Sequence, residues 1–571
     1  MRNSHPSLLI KRVTIAAAMF AVGACTLIPF QIDQKASAPK LDGFGGNSLW
    51  PSQANEAARA LFAQGMGQVY GFNGVEAIRA FKAALAQDPQ CGLCAWGVAY
   101  EMGPNINNPQ RGDLTEALRY VEYALKHSQN ASERDRALIE SLALRYAHGS
   151  VARDVAPLLG EVCAVAGGGG AERANPLDVA YAERMQQLAD RFPDDADVLA
   201  IYAEAEMVAT TADWWDRKTG QAAGKIGDLA NRLETGLQKF PNHTGLNHYM
   251  IHSVDAVQVA GRAVAAADRL GQLAPKSPHL LHMPSHTYSQ VGRYADATRV
   301  NQLAVSADEA MMVELKKQNF SVSSDWRGHN RHFQWYGALM EGRGDLALET
   351  ARAAAQHSKG DHTFGEYTRS LPMLTLLYLQ RWDALQKEAM PTGGKGVATV
   401  LGEMSHGIAF ARTGQIEPAK AALSRLEPAA EDLIKKNAGN DYFAKLIRSI
   451  IKTAQYQLRA ELALAENRGD DALLFQSQAA DAAYDAEGTE PPTLAGGPLR
   501  RLGQMQVQTK AYAAAEQSFK KDLSEHPHSG WSLQGLNAAL LGQGKKSEAR
   551  LVMTDLENNW KLADPQLRSI Y

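Results

Sequence analysis

Alanines seven residues apart, each pair set behind a turn, recur along this chain and restrict it to one kind of architecture. The stretch GFNGVEAIRAFKAALAQDP (71–89) shows the unit: a glycine–aromatic turn, then Ala77 and Ala84, then Pro89. Two helices cross closely only where the side chains at the crossing are small, so each alanine pair marks the contact inside a helical hairpin. The pattern returns at 112–128, 261–275, 292–306, 342–356, 381–390, 413–426, 510–527 and 544–556. One such hairpin cannot bury its apolar face alone, and nine in series predict an all-α stack in which each hairpin covers the next.

The unit matches the second half of a tetratricopeptide (TPR) repeat, so the expected fold is a TPR helical solenoid of stacked antiparallel helix pairs. At 571 residues the chain is too long for one compact core, which an array resolves. No strand pattern is evident. Breaks in the repeat place the boundaries: residues 1–24 a signal segment, 25–54 an extended leader, 55–160 N-terminal repeats, and 161–176 an insertion containing four consecutive glycines. Central repeats with most of the histidines follow over 177–480, then a loop at 481–500 and C-terminal repeats over 501–571.

The N-terminus points to export. MRNSHPSLLIKR is a basic n-region and VTIAAAMFAVGA an apolar core of about a dozen residues, too short to span a bilayer comfortably. It ends Val22-Gly23-Ala24-Cys25, which reads either as a lipobox, with Cys25 lipidated, or as an ordinary secretory cleavage site near Ala24. Both place the mature protein in the periplasm or on the envelope of a bacterium, with membrane contact only through an N-terminal lipid anchor. The net charge of −3, with both signs mixed, offers no basic footprint for nucleic acid. An exported compartment permits disulfides, so Cys91 and Cys94 are read as a bridge within one turn or as a ligand pair.

The alanine pairs also serve as a ruler. Counting back fifteen from Ala267, Ala297 and Ala347 gives His252, His282 and His332, one repeat position in three successive units. Each has a companion on the same helix face: His248 before His252, His286 after His282, and His329 before His332. With His243 and His279, eight of the sixteen histidines fall between 243 and 332. In TPR arrays this part of the first helix faces the concave groove, where neighbouring helices lie about 8–10 Å apart, so imidazoles of adjacent repeats can converge on an ion.

The expected metal ligands are therefore His248, His252, His282 and His286 around one ion, with His329 and His332 as added ligands or a second site. His243, His279, Cys91, Cys94, Asn105, Asn107 and Asp255 are further candidates for ligands or groove contacts, Asp255 as the carboxylate that orients a ligand ring. Pro284 suggests that a helix starts there, leaving His279 and His282 on the incoming loop. Imidazole-rich ligation suits copper, zinc or iron. The rival reading is an envelope scaffold whose groove holds a peptide or protein partner without metal, through histidine and Arg293, Arg327 and Arg331. No phosphate loop, dinucleotide fingerprint, HExxH helix or nucleophile elbow is present, so catalysis, if any, would be metal-assisted.

The blocks CGLCAWGVAYEMGPNIN, NHYMIHSVDA, HLLHMPSHTYSQVGRYADA, HNRHFQWYGALMEGR and KKDLSEHPHSGWSLQGL resemble those of a group of exported bacterial TPR proteins, over about residues 55–560. That resemblance implies the fold, export and the histidine blocks, and no reaction. The chain departs from the group at YLQRWDAL, where a glycine usually precedes Arg-Trp-Asp, and at EPPTLAGG, where aromatic residues usually follow Glu-Pro-Pro.

Overall fold

A computed structural model describes residues 30–107, 114–146, 175–210, 213–322, 325–360 and 362–569. Over these the chain is an all-α TPR solenoid of helix pairs, with only isolated bridges such as Trp215 to Ala222. Glu56–Tyr70 pairs with Gly74–Gln87, and the pattern runs on to Gly530–Gly542 with Lys546–Asn559. The signal segment, Cys25 and nearly all of the glycine-rich insertion lie outside the described residues. Among the described residues no helix is long and apolar enough to cross a membrane.

The ruler alanines do what their size suggests. Ala77, Ala84, Ala267, Ala274, Ala297, Ala304, Ala347 and Ala354 are all buried at the hairpin crossings. Phe81 of one second helix fits between Gly65 and Gly97, where an added Cβ would come within 2.5 and 2.7 Å of its ring. Phe519 fits between Gly503 and Gly535 in the same way near the other end.

The turn between the helices of a pair is also a repeated device. The residue after the first helix adopts a left-handed backbone at Gly292, Gly342, Gly414 and Gly544, with φ of 76° to 79°. The next amide then reaches back to a carbonyl of the last turn, as in Arg293 N–H to Tyr288 O (2.8 Å) and Gln415 N–H to Phe410 O (2.8 Å). Gln380 stands at this position in YLQRWDAL with φ 54°, a conformation disfavoured for a residue with a Cβ. Phe72 stands there too, with φ 50°.

The solenoid winds tightly enough for distant repeats to touch. Tyr70, at the end of the first helix, packs edge-on to Tyr249 four pairs later, with ring centres 6.3 Å apart. The indoles of Trp531 and Trp560 donate to the carbonyls of Leu339 and Met340 (both 2.8 Å) at the end of helix Arg327–Met340. The leader is a strap across this coil: Ser48 binds Asp197, Gly46 binds Thr244, and Lys40 exchanges hydrogen bonds with Gln318.

Candidate metal centre

Three successive first helices carry the histidines: Thr244–Ser253, the pair Pro278–His282 and Pro284–Gln290, and Arg327–Met340. Ser277 caps the middle one by accepting from the Leu280 amide, and Pro278 occupies its first turn. The helix therefore begins at Pro278, not at Pro284. Met283 stays helical across the break (φ −50°, ψ −37°), so His279 and His282 are held on helix and not on a loop.

The imidazoles form two triads. His248 Nε2 lies 3.1 Å from His252 Nε2 and 3.2 Å from His279 Nε2. His282 Nε2 lies 3.0 Å from His286 Nε2 and 3.1 Å from His329 Nε2. Bonds of about 2.0–2.1 Å from one ion to nitrogen set ligand nitrogens roughly 2.9–3.4 Å apart, between right-angled and tetrahedral geometry. Both triads fit. They sit side by side, with the rings of His252 and His286 centred 6.4 Å apart and those of His279 and His282 6.1 Å apart.

This grouping differs from the expected one. The Nε2 atoms of His248 and His252 gather with that of His279, and those of His282 and His286 with that of His329, so each pair, four residues apart on one helix face, is joined by a single residue of the next helix. His279 and His329 are equivalent to each other, both three residues before the ruler position, so the stagger between neighbouring helices brings that position opposite the preceding pair. His332 belongs to neither triad: its Nε2 lies 3.0 Å from the hydroxyl of Tyr367, which itself donates to Thr493 O (2.8 Å). The hydroxyl's proton is thus committed and His332 Nε2 carries a hydrogen, so the lone pair of the neutral ring sits on Nδ1, outside both triads.

The surroundings decide which nitrogen of each ring is bare. Asn301 fixes its amide by donating to Ala297 O (2.8 Å), so its Oδ1, 2.7 Å from His282 Nδ1, accepts a hydrogen from that ring. Asp255 Oδ2 lies 2.8 Å from His286 Nδ1, and Glu490 Oε2 lies 3.2 Å from it. A carboxylate accepts, so His286 Nδ1 carries the hydrogen as well. Two Nε2 lone pairs then face each other at 3.0 Å. That contact is repulsive unless a cation lies between them.

The triads are enclosed, which corrects the picture of an open groove. All six imidazoles are at most 4% exposed. The coil closes over them because Phe72 arrives from the first repeat and lies over His248, His252 and His279, with ring centres 4.6, 5.6 and 4.9 Å away. Trp326 covers His279 from another side (4.9 Å), and Phe333 packs among His282, His286 and His329. Burial first, and then the neighbouring imidazoles, hold His248, His279 and His282 well below the ordinary value of 6.5 and His252 at about 3. These rings are neutral at neutral pH, the state that binds metal. Burial and the adjacent Asp255 push Glu490 up to about 7. A small cavity beside the second triad is lined by His286, Asp255, Glu490, Ser289 and Tyr336.

The remaining candidates lie elsewhere. His243 caps its helix through the Leu246 amide and pairs with Asp197 (3.0 Å). Cys91 and Cys94 form a disulfide at the start of helix Gly92–Glu101, so neither is a free thiolate ligand. Asn105 accepts the Asn107 amide within its own turn (3.0 Å). The arginines of the peptide-binding reading are engaged: Arg293 with Asp268 and Asp296, Arg327 with Asp325, and Arg331 with Glu309.

Sequence reasoning passes over Asn301, Phe72 and Glu490. Asn301 carries a signal, since it stands where the adjacent repeats have Gly271 and Ala351. Phe72 also does, as an aromatic at the left-handed turn position that several other units give to glycine. Glu490 is 204 positions from His286 and only the winding of the coil brings it there.

No family model and no curated protein matches the chain. Solved structures with similar folds include a monomeric mutant of IFIT1 with Gppp-AAAA, at 11% identity and a TM-score of 0.32, covering 82% of this chain and 90% of that one. Yeast Tom70 matches at 12% identity and 0.30, covering 90% and 93%. The APC/C hetero-tetramer Cut9-Hcn1 matches at 12% identity and 0.23, covering 88% and 94%. At these scores the likeness carries no argument about the site.

Proposed function

We propose that this chain is an exported TPR protein that binds two transition-metal ions side by side, one in the triad His248–His252–His279 and one in His282–His286–His329. The observation that carries the reading is the approach of the His282 and His286 Nε2 atoms to 3.0 Å while both Nδ1 atoms donate elsewhere. Asp255, Glu490 and Asn301 orient these two rings and raise their basicity. Three nitrogens leave coordination positions open on each ion, and all-imidazole ligation suits copper, zinc or iron rather than calcium or magnesium. Export rests on the first 24 residues, and the likeness of the histidine blocks to exported bacterial TPR proteins supports the same compartment.

The test is elemental analysis of untagged protein after metal loading and desalting. Two ions per chain are expected, one after His252→Ala or His282→Ala, and none after both. A parent protein that retains no transition metal, or single variants that still hold two, would overturn the reading.

A further inference from the structure

A second cavity lies among the later helices, lined by residues from Thr363–Tyr378, Val397–Arg412, Tyr442–Ala465, Gly469–Ala482, Gly497–Gln508 and Gly530–Gly542. Arg412, Arg500 and Arg501 line it against one acidic residue, Glu461. Arg501 donates to that carboxylate through Nη2 (3.1 Å), and Arg412 lies 3.7 Å from it. Three positive charges against one negative leave an excess of two in the wall.

Arg500 shows what the excess is for. It is 5% exposed; the buried Asp522 carboxylate acts on it from beyond ion-pair distance and is itself engaged by His526 and Ser532, and among the described residues no carboxylate pairs with Arg500 directly. Its contacts are the thioether of Met340 (3.6 Å) and the face of the Trp531 ring (5.7 Å). Arginine is rarely buried without an anionic partner, because its five donors lose water without replacement. Stacking on an aromatic face leaves the planar edge of the guanidinium free, and that edge matches a carboxylate through two parallel hydrogen bonds.

Two further features shape the ligand. Gln476 is fully buried in the same wall; its amide nitrogen donates to Pro498 O (2.7 Å), while its Oε1 has no partner and awaits a donor. Tyr378 is pressed against Gly497, where an added Cβ would come within 2.6 Å of its ring, and its hydroxyl is tied to Leu494 O (3.0 Å). With Trp382 and Trp531 it presents aromatic surface to the cavity.

We propose that this cavity is a second binding site, for a small organic carboxylate with a flat apolar body and one hydrogen-bond donor, held by Arg500 and Arg412 and read by Gln476. The probe is 4-hydroxybenzoate, titrated calorimetrically into the full-length protein, with 4-hydroxybenzamide as its uncharged counterpart. Saturable binding of the acid is expected, with the amide at least tenfold weaker. Arg500→Gln should weaken the acid at least tenfold, and Arg412→Gln, at a less buried position, at least threefold, with metal content unchanged in both. Equal binding of acid and amide, parent-like affinity in both arginine variants, or no saturable binding of the acid would each overturn the proposal.

Discussion

His332 and His329 are three residues apart on one helix, and replacing each by glutamine separates the grouping seen in the structure from the one the repeat ruler suggests. His329 is one of three nitrogens in the second triad, so His329→Gln should cost that ion. His332 lies in neither triad, so His332→Gln should leave two ions bound. What it should change is the response to acid. The ring is 3% exposed, and burial holds its pKa at about 3 against the ordinary 6.5.

Between those values the unfolded chain binds a proton that the folded chain does not, so stability rises with pH there. The contribution is complete above 6.5 and is lost as pH falls from 6.5 toward 3. With about 1.4 kcal/mol per pH unit for one proton, the penalty at pH 5 is about 2 kcal/mol. Urea denaturation followed by circular dichroism, on chelator-treated protein at pH 7.5 and pH 5, measures it. The loss of stability between the two should be about 2 kcal/mol smaller in His332→Gln than in the parent. An unchanged loss would refute the neutral buried ring, and loss of an ion would refute its exclusion from the triads.

Two other outcomes follow from the geometry. Gln380 holds a left-handed turn with φ 54°, where Gly292 and Gly342 serve in other units; Gln380→Gly should stabilise the chain by about 0.5–1 kcal/mol, read from the denaturation midpoint, and destabilisation would mean the strain is absent. His526 sits between Asp522 (3.1 Å) and Glu487 (3.5 Å), and although burial alone would lower its pKa, the two carboxylates raise it to about 10. A raised folded pKa means stability present in full below 6.5 and lost as pH climbs toward 10, by at most about 1.4 kcal/mol per unit. His526→Gln should be less stable at pH 7 and should lack that alkaline decline, and a parent with flat stability from pH 7 to 9.5 would contradict the pairing.

Local pattern was enough to specify much of this molecule. The alanine pairs are small because helices must cross there, a requirement met within one hairpin, and so the hairpins and their stacking were legible residue by residue. The same periodicity put His248 beside His252 and His282 beside His286, because residues four apart share a helix face whatever surrounds them. Which imidazoles close each triad depended on the stagger between neighbouring helices, and so His279 and His329 entered while His332 turned to Tyr367. The enclosure of the site by Phe72 and Glu490, and the meeting of Arg500 with Trp531, come from the pitch of the whole coil. Pitch is the sum of small rotations at every repeat interface, and no stretch of a few dozen residues contains it.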